Sequence, residues 1–263
     1  MLNGLPYFSA GEGPPLVVVL YTPQAANPTG LARWSTMRML RPFTQHFTVY
    51  VVNRPPGLPP TTTMADLAAL YAAAITSTFG GPVHVLAIST GGSIALQLAA
   101  DHPDVVGRLV LGGTACALGP VGRRAQRAYI ERVNQGRRPS PALAEVVTES
   151  AVGRRLLRGL LWLSDGGHAD HTDAVTVLRA EDSFDLRGRL HDITAPTLLI
   201  QGDKDLVYPM ELATQTVDGI PHATLVVYAG RSHSSTFNDR RFAPDALAFL
   251  TSPGATEVSG GSQ

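Results

Sequence analysis

The sequence predicts an α/β fold, a doubly wound, mostly parallel sheet with an inserted helical lid. Short apolar runs rich in β-branched residues recur along the chain and end at turn residues. Helical patterns separate them, and one long interval holds no strand-like run at all.

The strand-like runs are Leu16 to Tyr21, Phe47 to Val52, Pro82 to Ile88, Val106 to Gly113, Ala195 to Gly202 and Ala223 to Gly230. They are nearly continuous in apolar character rather than alternating, which suits strands covered on both faces. Helical patterns occupy Leu31 to Phe43, Met64 to Phe79, Ser89 to Ala100, Met210 to Val217 and Pro244 to Leu250. Strand and helix therefore alternate, and a parallel sheet with helices on both faces follows. The exception runs from Thr114 to Thr194, where "PALAEVVTESAVGRRLLRGLLWL" is the longest amphipathic candidate. The expected organisation is a core of residues 1–113 and 195–251, with residues 114–194 as a lid over the carboxyl edge of the sheet, where open α/β sheets bind ligands. Residues 252–263 are Gly/Ser-rich and are expected to be a disordered tail.

Composition narrows the function classes. With 44% hydrophobic and 16% charged residues, the 263-residue chain is built to bury a core. Its formal net charge of zero provides no global field for nucleic acid or an anionic membrane, so neither is an expected partner. The single cysteine, Cys116, excludes an internal disulfide and any multi-cysteine metal site. The opening "MLNGLPYFSAGEGPP" has no basic region, and the apolar "LVVVLY" after it is too short for a signal core or a membrane span. A cytoplasmic protein is the expectation.

The chemistry concentrates at "HVLAISTGGSIALQLA", which starts at His84 and passes from strand to helix at Ser89. A helix N-cap would account for a serine there by itself. The small residues around it suggest more: a sharp strand-to-helix turn crowds the positions two before and two after its apex, here Ala87 and Gly91, and Gly92 lets the helix approach the strand. A serine hydroxyl needs a base and an orienting acid to act as a nucleophile. Asp205, in "LLIQGDKDLVYP", and His233, in "VVYAGRSHSSTF", each follow a strand run. All three residues thus fall just past the carboxyl ends of strand runs, in the chain order Ser, Asp, His. Asp203 is the rival acid, nearer the strand end and suited to supporting the turn.

Through "AISTGG", "SFDLRGRLHDI", "APTLLIQGDKDLVYP" and "AGRSH", nearly the whole chain to Leu250 resembles the α/β-hydrolase fold superfamily. The resemblance implies a triad of Ser89, His233 and Asp205. Ala87 replaces the first glycine of the family's G-x-S-x-G elbow, as in lipase relatives. A second departure concerns the oxyanion hole. Family members usually carry His-Gly and one further residue after the first central strand, and the amide of that further residue donates. Here Tyr21 and Thr22 stand for His-Gly, and Pro23, which has no N–H, falls on the donor position. The amide of Thr90, just after the nucleophile, remains as one donor, and Gln24 or Thr22 is expected to supply the other.

The expected activity is a serine hydrolase that cleaves a carboxylic ester of a small-molecule acyl substrate through an acyl-enzyme, without a cofactor. No P-loop, G-x-G-x-x-G after a strand or cofactor-lysine motif is present. Two alternatives stand beside it. Between Val121 and Leu160 lie nine arginines against three glutamates, either a solvated helical face or a docking surface for an acidic carrier protein or coenzyme A, which would make the substrate an acyl-thioester. Pro23 supports the other, a non-hydrolytic binding protein or a cyclase or lyase. "HADHTD", with His168, Asp170, His171 and Asp173, reads as a polar loop rather than a metal site, and His84 as a packed core residue. Trp34, Tyr129 and Trp162 are candidates for an apolar acyl pocket, although aromatic residues more often serve as core.

Overall fold

A computed structural model describes residues 1–20, 27–144, 151–164 and 170–253. Seven strands form one sheet: β1 (Tyr7–Ala10), β2 (Pro15–Leu20), β3 (Thr48–Val52), β4 (Val83–Ile88), β5 (Val106–Gly112), β6 (Thr197–Gly202) and β7 (Ala223–Tyr228). Their order is β1-β3-β2-β4-β5-β6-β7, and every pairing is parallel except that of β1 with β3. β1 was not expected from sequence: "YFSA" is four residues long with only Phe8 buried, too little apolar signal for a strand.

The helices are α1 (Gly30–Leu40), α2 (Met64–Phe79), α3 (Thr90–Asp101), α4 (Pro120–Asn134), α5 (Ala151–Ser164), α6 (Thr172–Asp182), α7 (Met210–Gly219), α8 (His233–Phe237) and α9 (Phe242–Thr251). Alternate strand residues face opposite layers. Val17, Val19, Val85 and Ala87 pack with Leu67, Ile75 and Leu98 of α2 and α3, whereas Leu16, Val18, Leu86 and Ile88 pack with Leu40 of α1 and with Phe242 and Leu250 of α9. Both faces are covered, the doubly wound arrangement that the unbroken apolar strands predict. α2 shows how local chemistry sets the boundaries. The Thr63 hydroxyl accepts from the Asp66 amide, the Asp66 carboxylate accepts from the Thr63 amide, and Gly80 at φ 69° closes the helix.

Between β5 and β6 the chain forms α4, a 3₁₀ turn at Ser140–Leu143, α5, α6 and a second 3₁₀ turn at Arg187–Asp192. The amphipathic candidate beginning at Pro141 is therefore not helical from its first residue. Pro139 and Pro141 withhold amides and disfavour the helical conformation of the residues before them, so this part is a 3₁₀ turn; residues 145–150 lie outside the described residues. α6 is tied to the core where the Asp173 carboxylate accepts from the amides of Gly57 (3.0 Å) and Leu58 (2.8 Å). The aromatic candidates separate. Tyr129 is buried against Ala174 and Leu178, but Trp34 is 60% and Trp162 48% exposed. Among the described residues no helix is long and apolar enough to cross a membrane. The tail residues 254–263 also lie outside the description.

Candidate active site

A single residue, Ser89, separates the end of β4 from the start of α3. The turn is that sharp because Ser89 adopts φ 56°, ψ −130°, a conformation costing a non-glycine residue about 1–3 kcal/mol. Its amide donates to the Gly112 carbonyl (3.0 Å) and its carbonyl accepts from the Gly92 amide (2.7 Å), so the backbone on both sides holds the strained residue. The small neighbours are explained by distance. A Cβ on Gly91 would lie 2.2 Å from the Val19 carbonyl oxygen, and one on Gly92 would lie 2.4 Å from the Thr114 methyl. The Ser89 side chain makes no capping bond to α3. That excludes the N-cap account and leaves the hydroxyl for another partner.

The partner is His233. The Ser89 Oγ and His233 Nε2 are 2.9 Å apart, and His233 Nδ1 is 2.8 Å from Asp205 Oδ2. β7 and its turn deliver the imidazole at the first position of α8, where Ser232 and Ser235 form a reciprocal cap. Asp205 follows β6, and its carboxylate accepts four bonds. The amides of Val207 (2.8 Å) and Tyr208 (3.1 Å) donate to Oδ1, and Gln201 Nε2 (3.0 Å) with the imidazole donates to Oδ2. Asp205 is 2% and His233 5% exposed, so this chain of bonds is screened little by water. The rings of Tyr208 and Phe237 flank the imidazole, each with centroids 5.7 Å away, the first tilted and the second edge-on. Asp203 turns elsewhere: it is exposed, and its Oδ1 accepts from the Gly230 amide at 2.6 Å, bracing the turn after β7.

Thr90 is buried as the first residue of α3, where amides have no acceptor within the helix. Tyr21, Thr22, Pro23 and Gln24 lie outside the described residues. The polar loop candidates diverge. Asp170 bonds the Thr172 amide, His171 Nδ1 pairs with the Tyr129 hydroxyl at 2.9 Å, and Asp173 holds the loop at Gly57; His168 lies outside the described residues. His84 is half-buried and packs edge-on against Phe47, and burial pushes its imidazole below the usual value, with Arg108 adding to the effect. Burial likewise pushes the Cys116 thiol up. Sequence reasoning missed Glu181 and Tyr208. Both are fully buried and joined by a 2.6 Å hydrogen bond beneath the elbow, but they are separated in sequence and match no motif that brings them together.

A parallel sheet presenting Ser89, Asp205 and His233 at the carboxyl ends of β4, β6 and β7 defines an α/β-hydrolase-type protein. The chain belongs to the alpha/beta hydrolase family, whose model matches residues 28–246. It is 30% identical over 206 residues to a 2-hydroxy-6-oxononadienedioate/2-hydroxy-6-oxononatrienedioate hydrolase of Burkholderia vietnamiensis, covering 71% of this chain and 68% of that one. It is 28% identical over 164 residues to a pimeloyl-[acyl-carrier protein] methyl ester esterase of Nitrosomonas europaea, covering 59% and 65%. Among solved structures, a hydrolase from Pseudomonas aeruginosa superposes with a TM-score of 0.70 at 26% identity over 93% of both chains. The aligned stretches span 59% to 68% of the length of the first curated relatives.

Proposed function

We propose that this protein is a serine hydrolase that cleaves a carboxylic ester through an acyl-enzyme. The observation that carries the proposal is the continuous bond chain from the strained Ser89 through His233 to the buried Asp205. In this mechanism His233 Nε2 takes the hydroxyl proton as Ser89 Oγ attacks the acyl carbon, and Asp205 holds the Nδ1 proton and stabilises the imidazolium. The Thr90 amide, with a second donor assigned to Gln24 or Thr22, receives the oxyanion. The imidazolium protonates the leaving alcohol; water activated by His233 then releases the acid and frees Ser89. The naming of one relative as a methyl ester esterase supports the ester as acyl donor.

The test is intact-mass labelling with a fluorophosphonate on the wild type, Ser89→Ala and His233→Ala. One adduct on the wild type, absent from Ser89→Ala and much reduced in His233→Ala, is expected. A folded wild type that takes no adduct refutes the reading and turns attention to a binding protein, cyclase or lyase.

A second reading rests on the arginines. Arg123 and Arg127 pair with Asp182, and Arg124, Arg132 and Arg158 line one hollow of about 320 Å³ between α4 and α5. Such a hollow suits the phosphates of coenzyme A or the acidic surface of a carrier protein, with the part of residues 114–194 that holds α4 to α6 acting as a lid. The same relative is named for an ester borne on an acyl carrier protein. On this reading kcat/KM for a carrier-bound substrate falls steeply between 50 and 300 mM salt, about tenfold or more, while that for a small neutral ester does not. Equal salt dependence for both substrates removes the carrier.

A further inference from the structure

Glu181 lies near the end of α6, 0% exposed, and the chemistry proposed above does not use it. Its carboxylate is saturated by four donors. The Ser93 hydroxyl (2.7 Å) and Tyr208 hydroxyl (2.6 Å) donate to Oε1, while the Thr90 hydroxyl (2.8 Å) and Gln126 Nε2 (2.5 Å) donate to Oε2. All four are neutral, and they fill the lone-pair sites of a carboxylate. The donors come from three places in the fold: the first turn of α3, the middle of α4, and the loop carrying Asp205. One buried side chain thus joins the stretch between β5 and β6 to the elbow and to the loop of the acid.

Two of the donors bear directly on Ser89 and His233. Thr90 is the residue whose amide faces the oxyanion in the proposed chemistry, and its hydroxyl is anchored to Glu181. Tyr208 is held by its amide on Asp205 Oδ1, by its carbonyl, which accepts from Gln201 Nε2, and by its hydroxyl on Glu181, with its ring against the imidazole. Burial, and then the Glu181 charge, raise the Tyr208 hydroxyl well above its usual value, so it remains a donor throughout the working range. An ionised acceptor makes shorter and stronger bonds than an amide, and the amino end of α3 favours a negative charge beside it. Buried charges seldom add net stability compared with an apolar replacement, so stability alone does not account for a carboxylate here.

We infer that Glu181 is a positioning residue for the hydrolytic site, fixing Thr90 on the oxyanion side of Ser89 and Tyr208 against His233. The inference rests on the serine hydrolase reading. It predicts that Glu181→Gln, which keeps the shape but sets an NH₂ against two of the donors, lowers kcat on a p-nitrophenyl ester by about tenfold or more at nearly unchanged KM. The rate of fluorophosphonate labelling of Ser89 should fall by the same factor. Tyr208→Phe, which removes one donor and keeps the ring, should lower both by about threefold or more.

The measurement is kcat, KM and labelling rate on full-length protein, with folding checked by near-ultraviolet circular dichroism. Folded Glu181→Gln and Tyr208→Phe that label and turn over like the wild type overturn the inference, whatever happens to their melting temperatures. So does a change confined to KM. Should Glu181→Gln fail to fold, Tyr208→Phe and Ser93→Ala decide by the same criterion. If the wild type itself takes no label and turns over no ester, the hydrolase reading has failed separately. The clamp is then judged by hydrogen exchange in Tyr208→Phe, where faster exchange across residues 89–96 and 203–209 supports it and unchanged exchange overturns it.

Discussion

Replacing Asp205 by Asn changes one atom, and the surrounding bonds dictate the consequence. Oδ1 faces the amides of Val207 and Tyr208, which are fixed in the backbone and can only donate. The Asn oxygen must therefore take the Oδ1 place, which puts its NH₂ where Oδ2 stood. There it meets His233 Nδ1 and Gln201 Nε2. Gln201 cannot readily flip to accept, because the same Nε2 also donates to the Tyr208 carbonyl at 2.6 Å. The NH₂ instead forces Nδ1 to accept, so the ring proton moves to Nε2 and faces Ser89 Oγ. The imidazole then has no lone pair with which to take the serine proton. Acylation should fall by about 10³- to 10⁴-fold, equivalent to roughly 4–5.5 kcal/mol in the barrier. The assay is single-turnover acylation with a p-nitrophenyl ester or a fluorophosphonate, alongside Asp203→Asn, whose carboxylate holds the Gly230 amide. Asp203→Asn should stay within about threefold of the wild type, a small change in barrier. A folded Asp205→Asn protein acylating within tenfold of the wild type would refute the tautomer argument, and a larger loss in Asp203→Asn would move the acid to that residue.

The elbow and the buried Asp239 carboxylate yield two more expectations. Gly91→Ala sets a Cβ 2.2 Å from a backbone oxygen that cannot rotate away. It should cost about 2–3 kcal/mol, lower Tm by about 5–10 °C and reduce Ser89 labelling; unchanged Tm in calorimetry would show that β2 and α3 are not in such close contact. Asp239 is held far below the usual aspartate value first by its bond to the Arg241 side chain, with Arg231 adding charge. A depressed folded value means stability that is present above the unfolded value, near 3.9, and is lost as pH falls through and below it. Asp239→Asn should therefore be less stable at pH 7, and its urea midpoint should fall less steeply between about pH 5 and pH 2. Parallel curves for variant and wild type would count against the arginine clamp.

Much of this architecture is legible in local chemistry. Unbroken apolar runs announced six of the seven strands because a buried parallel strand needs no polar face, and Thr63 with Asp66 marks the start of α2 by satisfying its first amides. The short edge strand β1 escaped, because four residues with one buried side chain carry little pattern. Pro141 opens the amphipathic stretch and Pro139 lies two residues before it, but helical periodicity concealed the 3₁₀ turn that they impose. Trp34 and Trp162 show the limit of residue type as a guide. Both are large and apolar, yet both are exposed, Trp162 beneath the Arg138 guanidinium 4.0 Å from its ring centre.

The sequence by itself determined the succession of six of the seven strands, the elbow at Ser89 and the candidacies of Asp205 and His233, because each is written in adjacent residues. Only the tertiary structure pairs His233 with Asp205 and Gly230 with Asp203, since two residues of separation become opposite directions once the turn after β6 has formed. It alone brought Glu181 beneath Thr90, 91 positions away, and set Tyr208 between that carboxylate and the imidazole. A buried carboxylate is recognised by the donors around it, and donors gathered from three separate elements have no spacing in the chain for a sequence to reveal.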